Sequence, residues 1–125
     1  MTEMVIAQAT TYDDAVRAIF RVVKDKPDVG SLDIEAIPVL AYGLVLGNRQ
    51  GLSVEDVRIL LISDHQELLG RLIEPAVNSP DEDERLVALL FRRWLSDPIE
   101  AERAHKNGVL GAAHRLVLYV QQSSF

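Results

Sequence analysis

The chain has 125 residues, of which 48 % are hydrophobic and 26 % charged, and its formal net charge is −6. This length is typical of one domain that folds without disulfides or metals, and the negative charge argues against wrapping a nucleic-acid backbone, which needs clustered Lys and Arg. The chain contains no cysteine, so a disulfide scaffold and thiol catalysis are excluded.

The N-terminus shows no targeting signal. Residues 1–10, MTEMVIAQAT, contain an acid at Glu3 and only a short apolar run, which is not typical of a signal peptide. Their pattern leaves a short strand, a helical turn and an arm on a partner open. The longest uncharged stretch, 36–48, is too short to span a bilayer. We therefore expect a cytoplasmic protein without membrane contact.

The first half of the chain predicts two helices. Thr11 can cap the first, because apolar residues follow it at helical spacing and charge passes from acid to base along it. The second begins at Ser31 or Asp33 and ends at residues 47–48. Its part 36–47 carries no charge. We interpret it as a central helix buried nearly all round, with a buried strand as the rival interpretation.

The helical region that follows contains a conflict at His65. An apolar stripe begins at Val54, and in one straight helix His65 would project from the centre of that stripe. Either His65 is a buried, hydrogen-bonded histidine or the helix breaks at Ser63-Asp64. Because Asp64 with Glu67 resembles a capping box, we favour the break.

The clearest helix of the sequence runs from Ser79 to Ser96. Ser79 is a preferred N-cap, Pro80 suits the first helical position, and Glu82 sits three residues after the cap. The apolar residues cover about half of the circumference, which predicts packing against several neighbours with Trp94 near the core. This apolar arc comprises Leu86, Val87, Leu90, Phe91, Trp94 and, at its edge, Leu95.

A further helix start follows at Asp97, and residues 107–108 resemble a C-cap before a final helix that reaches about residue 122. The sequence thus predicts an all-α protein. We expect one compact domain over residues 1–125, with six or seven helices in a bundled or orthogonal arrangement.

The sequence contains only weak candidates for a metal site or a catalytic site. Glu102 and His105 share a helical face, but a di-iron bundle needs two such pairs and two more carboxylates. His65 and His114 lack such a glutamate three residues before them. No catalytic nucleophile motif is present. We therefore expect no metal and no cofactor, and we assign no catalytic residue. The absence of such motifs favours a protein that is not an enzyme, but the sequence leaves an enzyme open.

The predicted function is protein binding by an acidic helical module, serving as a regulator, an adaptor or a toxin-neutralising antagonist. The partner would be another protein with a basic surface, and a homodimer is a further expectation; nucleic acid is not. Four consecutive acids at 81–84 exceed what helix capping requires. The predicted interface comprises Asp81, Asp83 and Glu84, extended by Asp97, Glu100 and Glu102.

Two alternatives remain open. The first is a small-molecule-binding or catalytic helical domain, with a pocket beside the apolar helix 39–46 that Tyr42, His65 and Trp94 would line. The second is a subunit of a larger complex.

Overall fold

The protein is an all-α domain, as the sequence predicts. The computed structural model describes residues 11–26, 29–96 and 100–122, and within the last range it describes side chains from 104 to 119. These ranges contain no strand and six helices, if the continuous helical run 65–77 counts as one. The helices are α1 (Tyr12–Val23), α2 (Ser31–Arg49), α3 (Val54–Leu61), α4 (His65–Leu68, Leu69–Ile73 and Glu74–Val77), α5 (Glu82–Leu95) and α6 (Glu100–Gln122).

Helix α2 is the centre of the domain. It packs against each of the other five helices of the described residues, α4 included through its middle turn, and its contact with α6 is the most extensive between any two of them. Most of its residues between Ala36 and Gly47 are buried. The uncharged stretch is therefore a helix surrounded by other helices, and the rival interpretation as a strand is wrong.

Two glycines of α2 bring α3 close. A Cβ added at Gly43 would lie 3.2 Å from a methyl group of Val57, and one added at Gly47 would collide with the same side chain. A larger residue at either position would therefore push α3 away from α2.

The predicted break before His65 is confirmed. Helix α3 ends at Leu61, and Asp64 caps α4 by accepting a hydrogen bond from the Glu67 backbone N–H at 2.8 Å. His65 is half-buried rather than central in an apolar stripe, and its Nε2 donates to Asn107 Oδ1 at 2.9 Å. The break thus removes the conflict that one straight helix would create.

The middle of α4, Leu69–Ile73, is a π-helical turn. The four core residues of this helix, Leu68, Leu72, Ile73 and Ala76, are all buried. In a regular α-helix, where each residue advances by about 100°, Ile73 would lie about 140° from Leu68. The wider π turn reduces that angle, so both side chains reach the same core.

Pro75 gives a local reason for the π turn. A proline inside a regular helix lacks an N–H, and its ring clashes with the carbonyl four residues before it. Here the Glu74 N–H donates to the Leu69 carbonyl, five residues back. Gln50, at the end of α2, donates from Nε2 to the Leu72 carbonyl at 2.7 Å. The π turn is thereby fastened to the central helix.

The start of α5 differs from the prediction by two residues. Asp81 is the N-cap and accepts from the Glu84 N–H at 2.9 Å, whereas Ser79 Oγ accepts from the Asp81 N–H at 3.1 Å, and Pro80 lies before the helix. Asp81 also pairs with Arg49 at 2.7 Å. This ion pair to the end of α2 holds Asp81, rather than Ser79, in the capping position.

Helix α6 also differs, because it passes through residues 107–108 without ending. The Asn107 side chain contacts His65. Gly108 lies against α2, where an added Cβ would be 3.7 Å from Leu32. Buried Val109 and Leu110 follow at once, and they hold the helix against the core. The predicted cap at Asp97 lies outside the described residues.

Candidate functional site

The apolar arc of α5 is only partly buried. Val87 and Phe91 lie in the core, but Leu86 is 54 % and Leu90 is 41 % exposed. Trp94 is partly buried and packs against the core, beside the fully buried Phe91. The prediction that this whole arc packs against neighbouring helices is therefore wrong at Leu86 and Leu90, where the side chains face a groove.

This α1–α5 groove is an open depression of about 580 Å³ beside the first turns of the two helices. Helix α1 begins there because Thr11 Oγ1 accepts from the Asp14 N–H at 3.2 Å, and α5 begins there at its own cap, Asp81. Two leucines of α5 provide exposed apolar surface. The groove is lined by Thr11, Tyr12, Asp13, Asp14, Arg17, Asp83, Leu86, Val87 and Leu90.

Carboxylates dominate the charge of the groove. Asp13 and Asp14 come from the first turn of α1, and Asp83 comes from the first turn of α5. Among the lining residues, Arg17 carries the one positive charge. Three acids and one base beside exposed leucines form an apolar surface with a negative rim, a combination suited to a basic, amphipathic partner.

The structure separates the acids predicted to bind a partner. Asp81 is occupied within the fold, because it caps α5 and pairs with Arg49. These contacts, first the Glu84 N–H and then the Arg49 guanidinium, lower the pKa of Asp81. Asp83 lines the groove, whereas Glu84 is half-buried outside its lining.

The predicted extension on the next helix stays untested. Asp97 lies outside the described residues, and Glu100 and Glu102 belong to α6 with their side chains outside the described part. Sequence reasoning did not assign Asp13 and Asp14 to the interface. The available signal was that two predicted helices each begin with an acidic turn, although only the packing of α1 and α5 against α2 brings those turns to one groove.

Two of the three residues predicted to line a pocket beside α2 lie together in one cleft. Tyr42 and Trp94 both line a cleft of about 320 Å³ between α2, α5 and α6, which we call the Trp94 cleft. His65 is not part of it, because the helix break places this residue against Asn107. His105 lines the cleft instead. The lining comprises Glu35, Pro38, Val39, Tyr42, Trp94, His105 and Val109.

An aromatic row connects the groove to the cleft. Tyr12 stacks on Tyr42 with ring centroids 5.2 Å apart, Tyr42 contacts Phe91 at 5.6 Å, and Phe91 contacts Trp94 at 6.2 Å. Burial raises the pKa of Tyr42, and burial followed by the neighbouring Tyr42 raises the pKa of Tyr12. Both phenols are therefore neutral at pH 7. The first ring of the row, Tyr12, lines the α1–α5 groove, and the last ring, Trp94, lines the cleft.

The histidines take part in contacts between helices. His105 Nε2 lies 2.9 Å from Glu35 Oε2 and so links α6 to α2. His114 Nδ1 lies 3.2 Å from the Arg58 carbonyl and its Nε2 lies 3.3 Å from the Arg58 guanidinium, which links α6 to α3. The described part of the chain holds no group of three or more acids and histidines arranged for a metal ion.

Among the described residues, no helix combines the length and apolar character needed to cross a membrane. Comparisons with protein-family models, curated proteins and solved structures find no match to this chain.

Proposed function

We propose that the protein is a protein-binding module whose α1–α5 groove receives a basic amphipathic helix of its partner. The observation that carries the proposal is the pairing of exposed Leu86 and Leu90 with Asp13, Asp14 and Asp83 in one groove. A module of this kind can serve as a regulator, an adaptor or a toxin-neutralising antagonist.

Each half of the groove has its own physical role. An amphipathic helix buries its apolar face against a groove through residues spaced three or four apart, and Leu86 and Leu90 present apolar surface at that spacing. The carboxylates attract Lys and Arg that flank the apolar face, which accelerates association at low salt. The apolar contacts would supply affinity, and the acids would supply speed and selectivity.

The same charges argue against a second copy of the chain in this groove. Two symmetric copies would bring the acids Asp13, Asp14 and Asp83 of each close to those of the other, and like charges brought together at an interface are unfavourable. This surface therefore gives no support to the predicted homodimer. Its charge pattern supports a basic partner instead.

The proposal can be tested with a synthetic 18-residue helix of Leu and Lys, with a Leu and Glu helix of the same pattern as the control ligand. Titrations followed by NMR would show whether the Leu/Lys helix shifts resonances of the groove. We expect saturable shifts centred on α1 and α5, and we expect the Leu/Glu helix to leave them unchanged.

Matched variants separate groove binding from general charge attraction. Asp13→Asn with Asp83→Asn removes two charges at the groove, and Asp25→Asn with Glu67→Gln removes two charges elsewhere. We expect the first pair to weaken binding about tenfold, and more at low salt than at high salt. Equal weakening by both pairs would reject the groove as the binding site.

A second matched pair tests the apolar half. Leu86→Ala should weaken binding, whereas Ile62→Ala should not, although Ile62 is similarly exposed at 57 % on α3's C-terminal cap. If the Leu/Lys helix shifts no groove resonance, or if Ile62→Ala has the larger effect, the proposed function is wrong.

A further inference from the structure

The Trp94 cleft combines apolar walls with one polar edge. Val39 and Val109 are buried aliphatic walls from α2 and α6, and the rings of Tyr42 and Trp94 are partly buried. The polar edge is the pair formed by Glu35 and His105. Ligand sites are typically concave and mostly apolar, with a few convergent polar groups that fix orientation.

The aromatic row favours a flat ligand. Phe91 already lies between Tyr42 and Trp94, with centroid distances of 5.6 Å and 6.2 Å. Aromatic rings gain about 0.5–1.5 kcal/mol from such offset or tilted contacts beyond the burial of their area. A planar ring in the cleft would extend this row, because two of its members line the cavity.

The polar edge favours a hydrogen-bond donor on that ring. His105 Nε2 lies 2.9 Å from Glu35 Oε2 and so uses one of the hydrogen-bonding positions of this carboxylate. A carboxylate accepts several hydrogen bonds, so Glu35 retains acceptor capacity beside its contact with His105. Hydrogen bonds to a charged acceptor are also stronger than those between neutral groups.

Charge and size restrict the ligand further. The Lys106 ammonium lies 5.8 Å from the centroid of the Trp94 ring, and a ligand cation at that ring would meet this like charge. The cleft volume of about 320 Å³ is at the small end of ligand pockets. A neutral molecule of one or two fused rings therefore suits it best.

We infer that the Trp94 cleft binds a small, neutral, planar heteroaromatic molecule whose ring N–H donates to Glu35. The site is separate from the α1–α5 groove, and the inference does not depend on the proposed function.

The experiment uses the full chain, indole as the probe and 1-methylindole as a probe that lacks the N–H donor. The chain has one tryptophan, so its side-chain N–H gives one resonance in a ¹H–¹⁵N NMR spectrum. We expect indole to shift that resonance and those of neighbouring α2 and α6 residues in a saturable way, with a Kd of about 0.1–1 mM. We expect 1-methylindole to bind at least about fivefold more weakly.

Glu35→Gln and Glu67→Gln form the matched pair of variants. Both side chains are about half exposed, so neither change should disturb folding, which the unchanged remainder of each spectrum would verify. Glu35→Gln should weaken indole about fivefold and leave 1-methylindole unchanged, whereas Glu67→Gln should alter neither. Tryptamine, a cation at neutral pH, should bind more weakly than indole.

Four outcomes would overturn the inference. The first is the absence of saturable shifts with indole at its solubility limit. The second is equal affinity for indole and 1-methylindole in the unmodified protein. The third is equal weakening of indole by Glu35→Gln and Glu67→Gln. Shifts of the groove residues alone would likewise place the ligand elsewhere and reject this site.

Discussion

Helices α2 and α5 use their apolar residues in different ways. Helix α2 has no charge between residues 36 and 47, and the other five helices of the described residues pack against it. Helix α5 has an apolar arc of about half its circumference, but its neighbours cover only part of that arc and leave Leu86 and Leu90 exposed. The apolar residues of this stretch of α2 are therefore mostly buried within the fold, whereas part of the apolar arc of α5 stays uncovered.

That difference identifies where binding can be sought. Exposed leucine side chains lower solubility, and isolated exposed leucines are nevertheless common on protein surfaces. In α5, however, two leucines one turn apart line one groove with three carboxylates from two helix starts. This composition supports the proposed role of the groove in binding a partner.

Phe91→Ala should have the largest effect on stability, and Leu90→Ala should have little. Phe91 is fully buried between Tyr42 and Trp94, so its truncation should lower the free energy of unfolding by about 3–5 kcal/mol. Leu90→Ala should cost less than about 1 kcal/mol, because this side chain is 41 % exposed. Urea denaturation would measure both, and similar losses would mean that Leu90 belongs to the core.

Gly47→Ala tests the close packing of α2 on α3. The new methyl group would collide with Val57, so we expect destabilisation by about 1–3 kcal/mol. Gly111→Ala in α6 is the control, since nothing lies within 4 Å of the added Cβ there. It should stabilise the protein by up to about 1 kcal/mol, because alanine is the better helix former. Thermal unfolding would measure the stability of both variants. A Gly47→Ala protein as stable as the natural protein would contradict the close approach of α3.

Asp81 provides a smaller, pH-dependent test at the start of α5. Asp81→Ala removes the cap and the ion pair to Arg49, whereas Asp81→Asn retains a good cap and removes only the charge. We expect Ala to destabilise more than Asn at pH 7, as measured by urea denaturation.

The pH dependence follows from the lowered pKa of Asp81 in the folded protein. A carboxyl whose folded pKa is depressed stabilises the fold above its unfolded pKa, and this contribution is lost as pH falls through the folded pKa. The difference between the natural protein and Asp81→Asn should therefore shrink in acid, below the ordinary value of 3.8. A difference that stays constant to pH 2 would exclude the ion pair as its cause.

The sequence predicts the helices of this fold well, because their signals are local. Thr11 and Asp64 each cap a helix as their side chains and the following acids indicate. The uncharged stretch of α2 likewise carries its own signal, since a helix without a polar side must be surrounded. These features need no knowledge of distant residues.

The differences arise where a distant contact overrides a local signal. Ser79 resembles an N-cap, but Asp81 is the cap in the structure, and it also pairs with Arg49, 32 residues before it in the sequence. Asn107 resembles a helix end, but its contact with His65 and the packing of Gly108 on Leu32 keep α6 continuous. The candidate sites depend on the same kind of information, because the groove and the cleft form only where separate helices meet.

The π turn of α4 also fixes the permitted length of the chain. Its hydrogen bond from Glu74 to Leu69 spans one residue more than an α-helical bond does, so Leu69–Ile73 contains one residue that a regular helix would not need. Deleting exposed Gly70 could restore a regular α-helix, but it would rotate everything before the deletion by about 100° relative to Pro75 and the residues after it. Leu68 would then leave the core, or His65 would lose Asn107. A protein that keeps this fold should therefore tolerate replacement of Gly70 far better than its removal.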